Sequence, residues 1–579
     1  MAQKRPELSL LAVSVYGEDT RPCAPESSHS SPDSRPSTAD STSSNSCVST
    51  SSASDSSNET SDSFESCDNG ETKAYFYKSA HWTNDGTTII TASYDNKICS
   101  FLVPENLLEP RDQPLNLRPY RTLQLATPTN VVATAPYYDI RIPNTDHLLV
   151  ASHDHPIQLY QLFPPDRTFP EDGDAPSQGG MPYGPPIASY HFASPTTENY
   201  YPVHSLVWPK PGTHFYVGTR DLIAQFDITR NGDGPSALVP TIPSRRHIRK
   251  GNGIGMRGTV SALSTQPTAD QEATGLIAAG TWTRWVGLYD IARSGECAAV
   301  WNIQEAAEGV VHTDTPTSAG LSSTLTKRTS TKGAVLPIKG IGGAGINQTA
   351  WSPCGRYLVV NERQSTGMLV YDVRGANRVL GFLAGRDART HQRMSCDVFN
   401  GLQSVGGFEV WAGAMDGTVK VWEGVGNTEG CQWPSWDFSA TDGAAGAQGI
   451  ASPALGSVGL HYSGSVVATC AGSWTPDADD TSRDWTESGC GETDDRSAVL
   501  PLTQCPGQPL SHAPKTKIEK SSLKLWSIGS SSPSHVAEIA GENQLAEMLA
   551  GEEEELEKHR ARILSTLGIT EENDSKAMN

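Results

Sequence analysis

Positive charge recurs along this chain in short segments that lack the apolar alternation of strands, and in one of them an indole sits beside it. Arg245, Arg246, Arg249 and Lys250 crowd into six residues, Arg257 follows closely, and Gly280-Thr-Trp282-Thr-Arg284 brings an aromatic ring within two positions of a guanidinium. Arg220, Arg363 and Arg393 occupy comparable segments elsewhere. Guanidinium and ammonium groups hold phosphate electrostatically, while an indole face stacks on an unpaired base; together these are the needs of single-stranded or looped RNA recognition. The competing reading is that such arginines are merely solvated or bridge neighbouring elements. From charge alone the two stand level.

Catalytic chemistry has no comparable signature. The chain has no phosphate-cradling Gly-Lys-Ser/Thr loop, no histidine pair at metalloprotease spacing and no nucleophile elbow. Gly251-Asn-Gly-Ile-Gly255 and Gly340-Ile-Gly-Gly343 are rich in glycine, but neither lies between a predicted strand and a helix. His153-Asp-His155 has a spacing open to metal, and a tight turn explains it as well. The expectation is a non-enzymatic binding protein with no cofactor, no metal and no small-molecule substrate.

The elements that would position the cations are repeats. In Gly413-Ala-Met-Asp-Gly-Thr-Val-Lys-Val-Trp422 a small residue ends one strand, Asp416-Gly417 turns, and Val419, Val421 and Trp422 belong to a buried strand. The pattern of an aliphatic residue three positions before an aromatic recurs at Ile98–Phe101, Ile157–Tyr160, Ile223–Phe226, Val286–Tyr289, Met368–Tyr371 and Leu523–Trp526. A Trp four residues before a Gly precedes three of them, at Trp82, Trp208 and Trp351. Two elements recurring in one order predict an all-β, seven-bladed WD40-type β-propeller over residues 73–530. The markers lie 51 to 104 residues apart, against about 40–45 for a plain blade, so long loops are expected at 164–186, 304–340 and 473–521. The connections between blades and the turns between second and third strands open on one face of a propeller. All the cations named above fall in these two classes of segment.

The net charge of −21 is uneven. Residues 1–72 hold 12 acids against 4 bases, residues 471–500 hold 8 against 2, and residues 541–579 hold 10 against 4. The remaining body is near neutral, which leaves a nucleic-acid partner open. Residues 1–72, dominated by Ser, Thr, Asp and Pro, bury too little apolar surface to fold and read as a disordered tail. Residues 541–568 read as an amphipathic helix, weakened at Gly551, and 569–579 as a second tail. Eleven scattered cysteines with no paired spacing suit a reducing compartment. No apolar run is long enough to span a bilayer, so no membrane partner is expected.

His204-Ser-Leu-Val-Trp208, Gly258-Thr-Val-Ser-Ala262 and Gly280-Thr-Trp-Thr-Arg-Trp-Val-Gly-Leu-Tyr-Asp290, with His391-Gln-Arg393, resemble the telomerase Cajal body protein family. The likeness runs from about Ala80 to Trp422 and weakly to Trp526, and its Ser-rich, loop-extended form is more like fungal than animal members. The resemblance implies a WD-repeat protein that binds small Cajal body RNA, other small nuclear RNA or telomerase RNA. It implies spliceosomal or other RNP proteins as partners, and a nuclear location, in Cajal bodies among others. Arg284 and Arg393 would then contact phosphates or base edges and Trp282 would stack. The alternative is a protein scaffold without RNA contact, such as a splicing assembly factor or a ubiquitin-ligase substrate receptor; for the latter, Tyr371-Asp-Val-Arg374 lacks the expected Trp. The acidic 473–521 insertion belongs on the same face as the cations. Deleting Asp477–Asp495 is therefore expected to tighten RNA binding at low salt and to have little effect at high salt. Anisotropy titrations at the two salt concentrations check this, and unchanged low-salt affinity refutes it.

Overall fold

The seven aromatic-ended segments are all third strands of propeller blades in the computed structural model of the chain. The structure describes residues 6–16, 75–163, 181–242, 255–267, 273–309, 328–329, 335–336, 340–375, 378–401, 406–440, 450–473, 517–518 and 521–529. Blades one to six each pair four antiparallel strands, in chain order from the channel outward. Blade six, for example, runs Cys396–Asn400, Phe408–Gly413, Thr418–Val425 and Trp436–Ser439. Blade seven takes Leu455–Leu460, Val466–Ala471 and Ser522–Gly529 from the C-terminal part and its fourth strand, Glu7–Val15, from the N-terminus.

That strand corrects the reading of residues 1–72 as tail throughout. Glu7–Val15 pairs antiparallel with Ser522–Gly529 from Glu7 opposite Gly529 to Val15 opposite Ser522, with one irregularity between Leu10 and Ala12. Leu8 to Tyr16 is apolar enough to be a strand, but the polar run after it masks the signal. The rest of the supposed tail, the C-terminal helix and most of the three insertions lie outside the described residues. Within the insertion at 304–340, Gln304–Gly309 forms a short helix.

Burial follows from blade geometry. A second strand is covered on both faces by neighbouring blades, so Thr88–Ser93, Phe408–Gly413 and Val466–Ala471 are buried at every position rather than at alternate ones. Outer strands face water, and Ala237–Pro240 is largely exposed. The apolar core is accordingly a ring of interfaces. One cluster joins blades one to three through Ile90, Leu149 and Phe215, another joins blades five and six through Val370 and Trp422, and Ala12, Ile89 and Leu525 close blade seven on blade one. Trp422 is fully buried and its indole N–H donates to the Ala384 carbonyl of blade five at 3.2 Å. Gly86, Gly212 and Gly355, four residues after their tryptophans, all have positive φ, where a side chain would be strained.

Placing a carboxylate at Ala12, which is wholly buried in the closing strand, tests this closure. Ala12→Asp is expected to cost on the order of 3–5 kcal/mol as an uncompensated buried charge, read as a lower urea midpoint. The control Glu7→Gln, at an exposed position of the same strand, should leave the midpoint unchanged.

Candidate nucleic-acid interface

The turns between second and third strands in blades one and three to five have a shared shape. A residue with left-handed backbone sits just before the third strand: Asn96, Asp221, Arg284 and Gln364, with φ from 56° to 66°. Asn and Asp tolerate this region, whereas a long side chain such as arginine costs about 1–2 kcal/mol there. Something must offset that cost at Arg284.

The offset is an ion pair. Arg284 Nε and Nη2 donate to the two carboxylate oxygens of Glu362 at 2.8 and 2.9 Å, and Nη2 also donates to the Gly342 carbonyl at 3.0 Å. Both side chains are nearly out of water, at 12% and 2% exposure, with the half-exposed Glu308 a further 3.8 Å from Nη1. Burial pushes the Glu362 carboxyl above its ordinary value, although the Arg284 hydrogen bonds and charge pull the other way. Arg284 is therefore not offered to a ligand. The expected phosphate contact is replaced by a bidentate brace between blades four and five, with Glu362 as the partner that sequence reading overlooked.

The brace sets its neighbours side by side. Trp282 lies two residues before Arg284 and Arg363 directly follows Glu362, and the Arg363 guanidinium rests 5.1 Å from the centre of the Trp282 ring. His204 meets the same indole edge-on at 4.7 Å. Arg363 Nε donates to the Ala344 carbonyl, and the indole remains half-buried.

The pair belongs to a continuous arc. Asp221 accepts from the Gly258 N–H at 2.6 Å and Arg220 bridges to Thr259, which ties the blade-three turn to the connection carrying Arg257. Thr283 Oγ1 donates to the Arg257 carbonyl, and the Trp282 N–H donates to Thr259. Beyond Arg363, Gln364 Nε2 lies 2.7 Å from Nε2 of the exposed His391. Arg220 is 83% exposed and lies 4.0 Å from Asp221, a surface pairing of little energy. Arg257 is exposed as well.

The other basic residues are dispersed. Arg245, Arg246, Arg249 and Lys250 lie outside the described residues. Arg386 belongs to the outer strand Val379–Ala388 and is fully buried, donating to Gly413 and Met394 carbonyls and to Asn361. Arg389 is engaged with Asp387. Arg393 leaves the rim for the central channel, where it donates to the Ser261 and Asn347 carbonyls. At His153-Asp-His155 the two imidazoles are held in the turn by Asp154 and by the His153 carbonyl; among the described residues no group of three His, Cys, Asp or Glu is placed to hold a metal.

The role of Arg284 as a brace predicts a specific cycle. Arg284→Met strands the buried Glu362 charge and is expected to cost about 3–5 kcal/mol, whereas Arg284→Met with Glu362→Leu should recover most of that loss. Chemical denaturation of the two variants measures it, and equal stability of the single and double variants refutes the brace.

No protein-family model matches the chain. Guanine nucleotide-binding protein negative regulator 1 of Schizosaccharomyces pombe is 21% identical over 350 residues, which is 60% of this chain and 70% of that protein. Telomerase Cajal body protein 1 of Bos taurus is 22% identical over 356 residues, 60% of this chain and 50% of the relative. Its counterpart in Rattus norvegicus is 22% identical over 360 residues, 62% and 53%. The match thus spans about half the length of the two mammalian relatives. At this distance the similarity supports a WD-repeat propeller and singles out no member of that large group, nor a fungal origin.

Proposed function

We propose that this propeller is a non-enzymatic RNA-binding protein acting in the assembly or placement of a small nuclear or telomerase RNP. The observation that carries the reading is the Arg363–Trp282 pair, flanked on one arc by the exposed Arg220 and Arg257. A cation fixed over an indole combines a stacking surface with a phosphate ligand at one point. The separation of Arg220 and Arg257 along the same rim suits a backbone that tracks the arc while one base stacks. In the sequence, Arg245, Arg246, Arg249 and Lys250 precede Arg257 in the same connection. The mammalian relatives are named for telomerase and the Cajal body, which supports a nuclear location, Cajal bodies included; RNP or spliceosomal proteins are the further partners in this reading.

A second reading, a protein scaffold without RNA contact, draws on the fission yeast relative, whose name makes it a regulator of a guanine nucleotide-binding protein. The two readings differ in what the arc does. Ultraviolet crosslinking and sequencing in cells is expected to recover a small structured RNA class, and recovery of nothing above background defeats the first reading. On an oligonucleotide from that class, Trp282→Ala and Arg363→Ala are each expected to weaken binding about tenfold, since a base–aromatic stack is worth about 1–3 kcal/mol. Protein partners should stay bound to both variants. Loss of those partners with unchanged RNA affinity supports the scaffold instead.

A further inference from the structure

The channel through the ring holds a pair of cations that the rim does not use. Its rim-side half is a cavity of 190 Å³ bounded by residues from the inner edge of all seven blades, with the cations Lys78 and Arg393 and the imidazole of His81 among them, and no aspartate or glutamate among the described residues that line it. Arg393 spends one nitrogen on the Ser261 and Asn347 carbonyls, 3.2 and 3.0 Å away. Lys78 donates to the Thr129 carbonyl at 2.9 Å and stands 5.7 Å from the centre of the Tyr94 ring. These neutral groups orient the cations but do not cancel their charge. Two further polar atoms in the wall, Asn130 Nδ2 and Thr129 Oγ1, are buried without a hydrogen-bond partner among the described residues.

Lys78 and Arg393 are half-buried in the channel wall, and like charges in so confined a space are less costly when an anion joins them. The arrangement is not an accident of a loose loop. Asn347, Asn361 and Arg386 all donate to the Met394 carbonyl, and Gln392 donates to the Gly472 carbonyl. Arg393 is thereby clamped on both sides and directed inward. The volume is far above the roughly 10–15 Å³ that holds one water, so a small hydrated anion fits.

We propose that this half of the channel binds a small tetrahedral oxyanion, a phosphate or phosphate monoester, between Lys78 and Arg393, with the Asn130 amide as a further donor. Desolvation and the Arg393 charge hold Lys78 down to about 8 and His81 down to about 4, so the imidazole is a neutral hydrogen-bonding group of the wall and not a third charge. The inference does not depend on RNA binding at the rim.

The test uses the full chain, purified without phosphate. Calorimetric titration with inorganic phosphate is expected to show one site, and thermal unfolding a midpoint that rises with phosphate. Lys78→Gln should weaken the site at least tenfold, and Lys78→Gln with Arg393→Gln should abolish it. If the double variant fails to fold, the single variant with Lys78→Arg as its charge-retaining control decides. The Trp282→Ala rim variant should bind phosphate as the parent does, which separates failure here from failure of the RNA reading. No binding by the parent chain, or equal binding by Lys78→Gln, overturns the proposal. Competition by a 5′-phosphorylated dinucleotide but not its 5′-hydroxyl form assigns the phosphate to a chain end. Competition by neither assigns it to the free ion.

Discussion

Everything in this molecule depends on closing the ring. Seven blades pack face to face, so each interblade cluster is complete only when the last blade meets the first. The strand Glu7–Val15 achieves this by supplying the outer edge of a blade whose other strands lie more than four hundred residues away in sequence. Joining the two ends covers what would otherwise be an exposed strand edge and fixes the circumference of the channel. The rim arc and the channel cations both need that circumference, because residues from different blades must meet at set distances.

Within the closed ring, the Arg284–Glu362 brace does locally what the N-terminal strand does globally. It ties two turns that the sequence separates by 78 positions. A carboxylate and a guanidinium removed from water are favourable only with full hydrogen bonding, and here both carboxylate oxygens and the neighbouring Gly342 carbonyl are engaged. The left-handed backbone at Arg284 is stored strain that the pair holds in place. What the brace presents, Trp282 under Arg363, is a spot on the described rim where stacking and positive charge coincide.

The fold was legible because its signal is periodic. Each of the seven aromatic markers, from Phe101 to Trp526, is buried in a third strand, and repetition made weak local evidence add up. The closing strand was not legible, since Leu8 to Tyr16 is one short apolar run followed by dozens of Ser and Thr residues, and nothing local reveals a partner at Ser522–Gly529. The site was legible by segment but not by role. Turns carry Arg220, Trp282, Arg284 and Arg363 as the pattern indicates, yet whether an arginine faces solvent or a carboxylate is a tertiary fact. Glu362 ends a buried strand and gave no sign of its partner. Lys78 and His81 sat in plain view as polar positions in the inner strand Tyr77–Trp82, where only the closed channel gives them a shared environment.

The central claim is that the arc over blades three to five is where RNA lies. Mapping ultraviolet crosslinks on the protein side, by mass spectrometry of the full chain bound to its own RNA, tests that most directly. The account predicts nucleotide adducts on the peptide ending at Arg284 and on the segment around Arg363. Adducts confined to the opposite mouth of the channel, around Trp208 and Lys210, would contradict it.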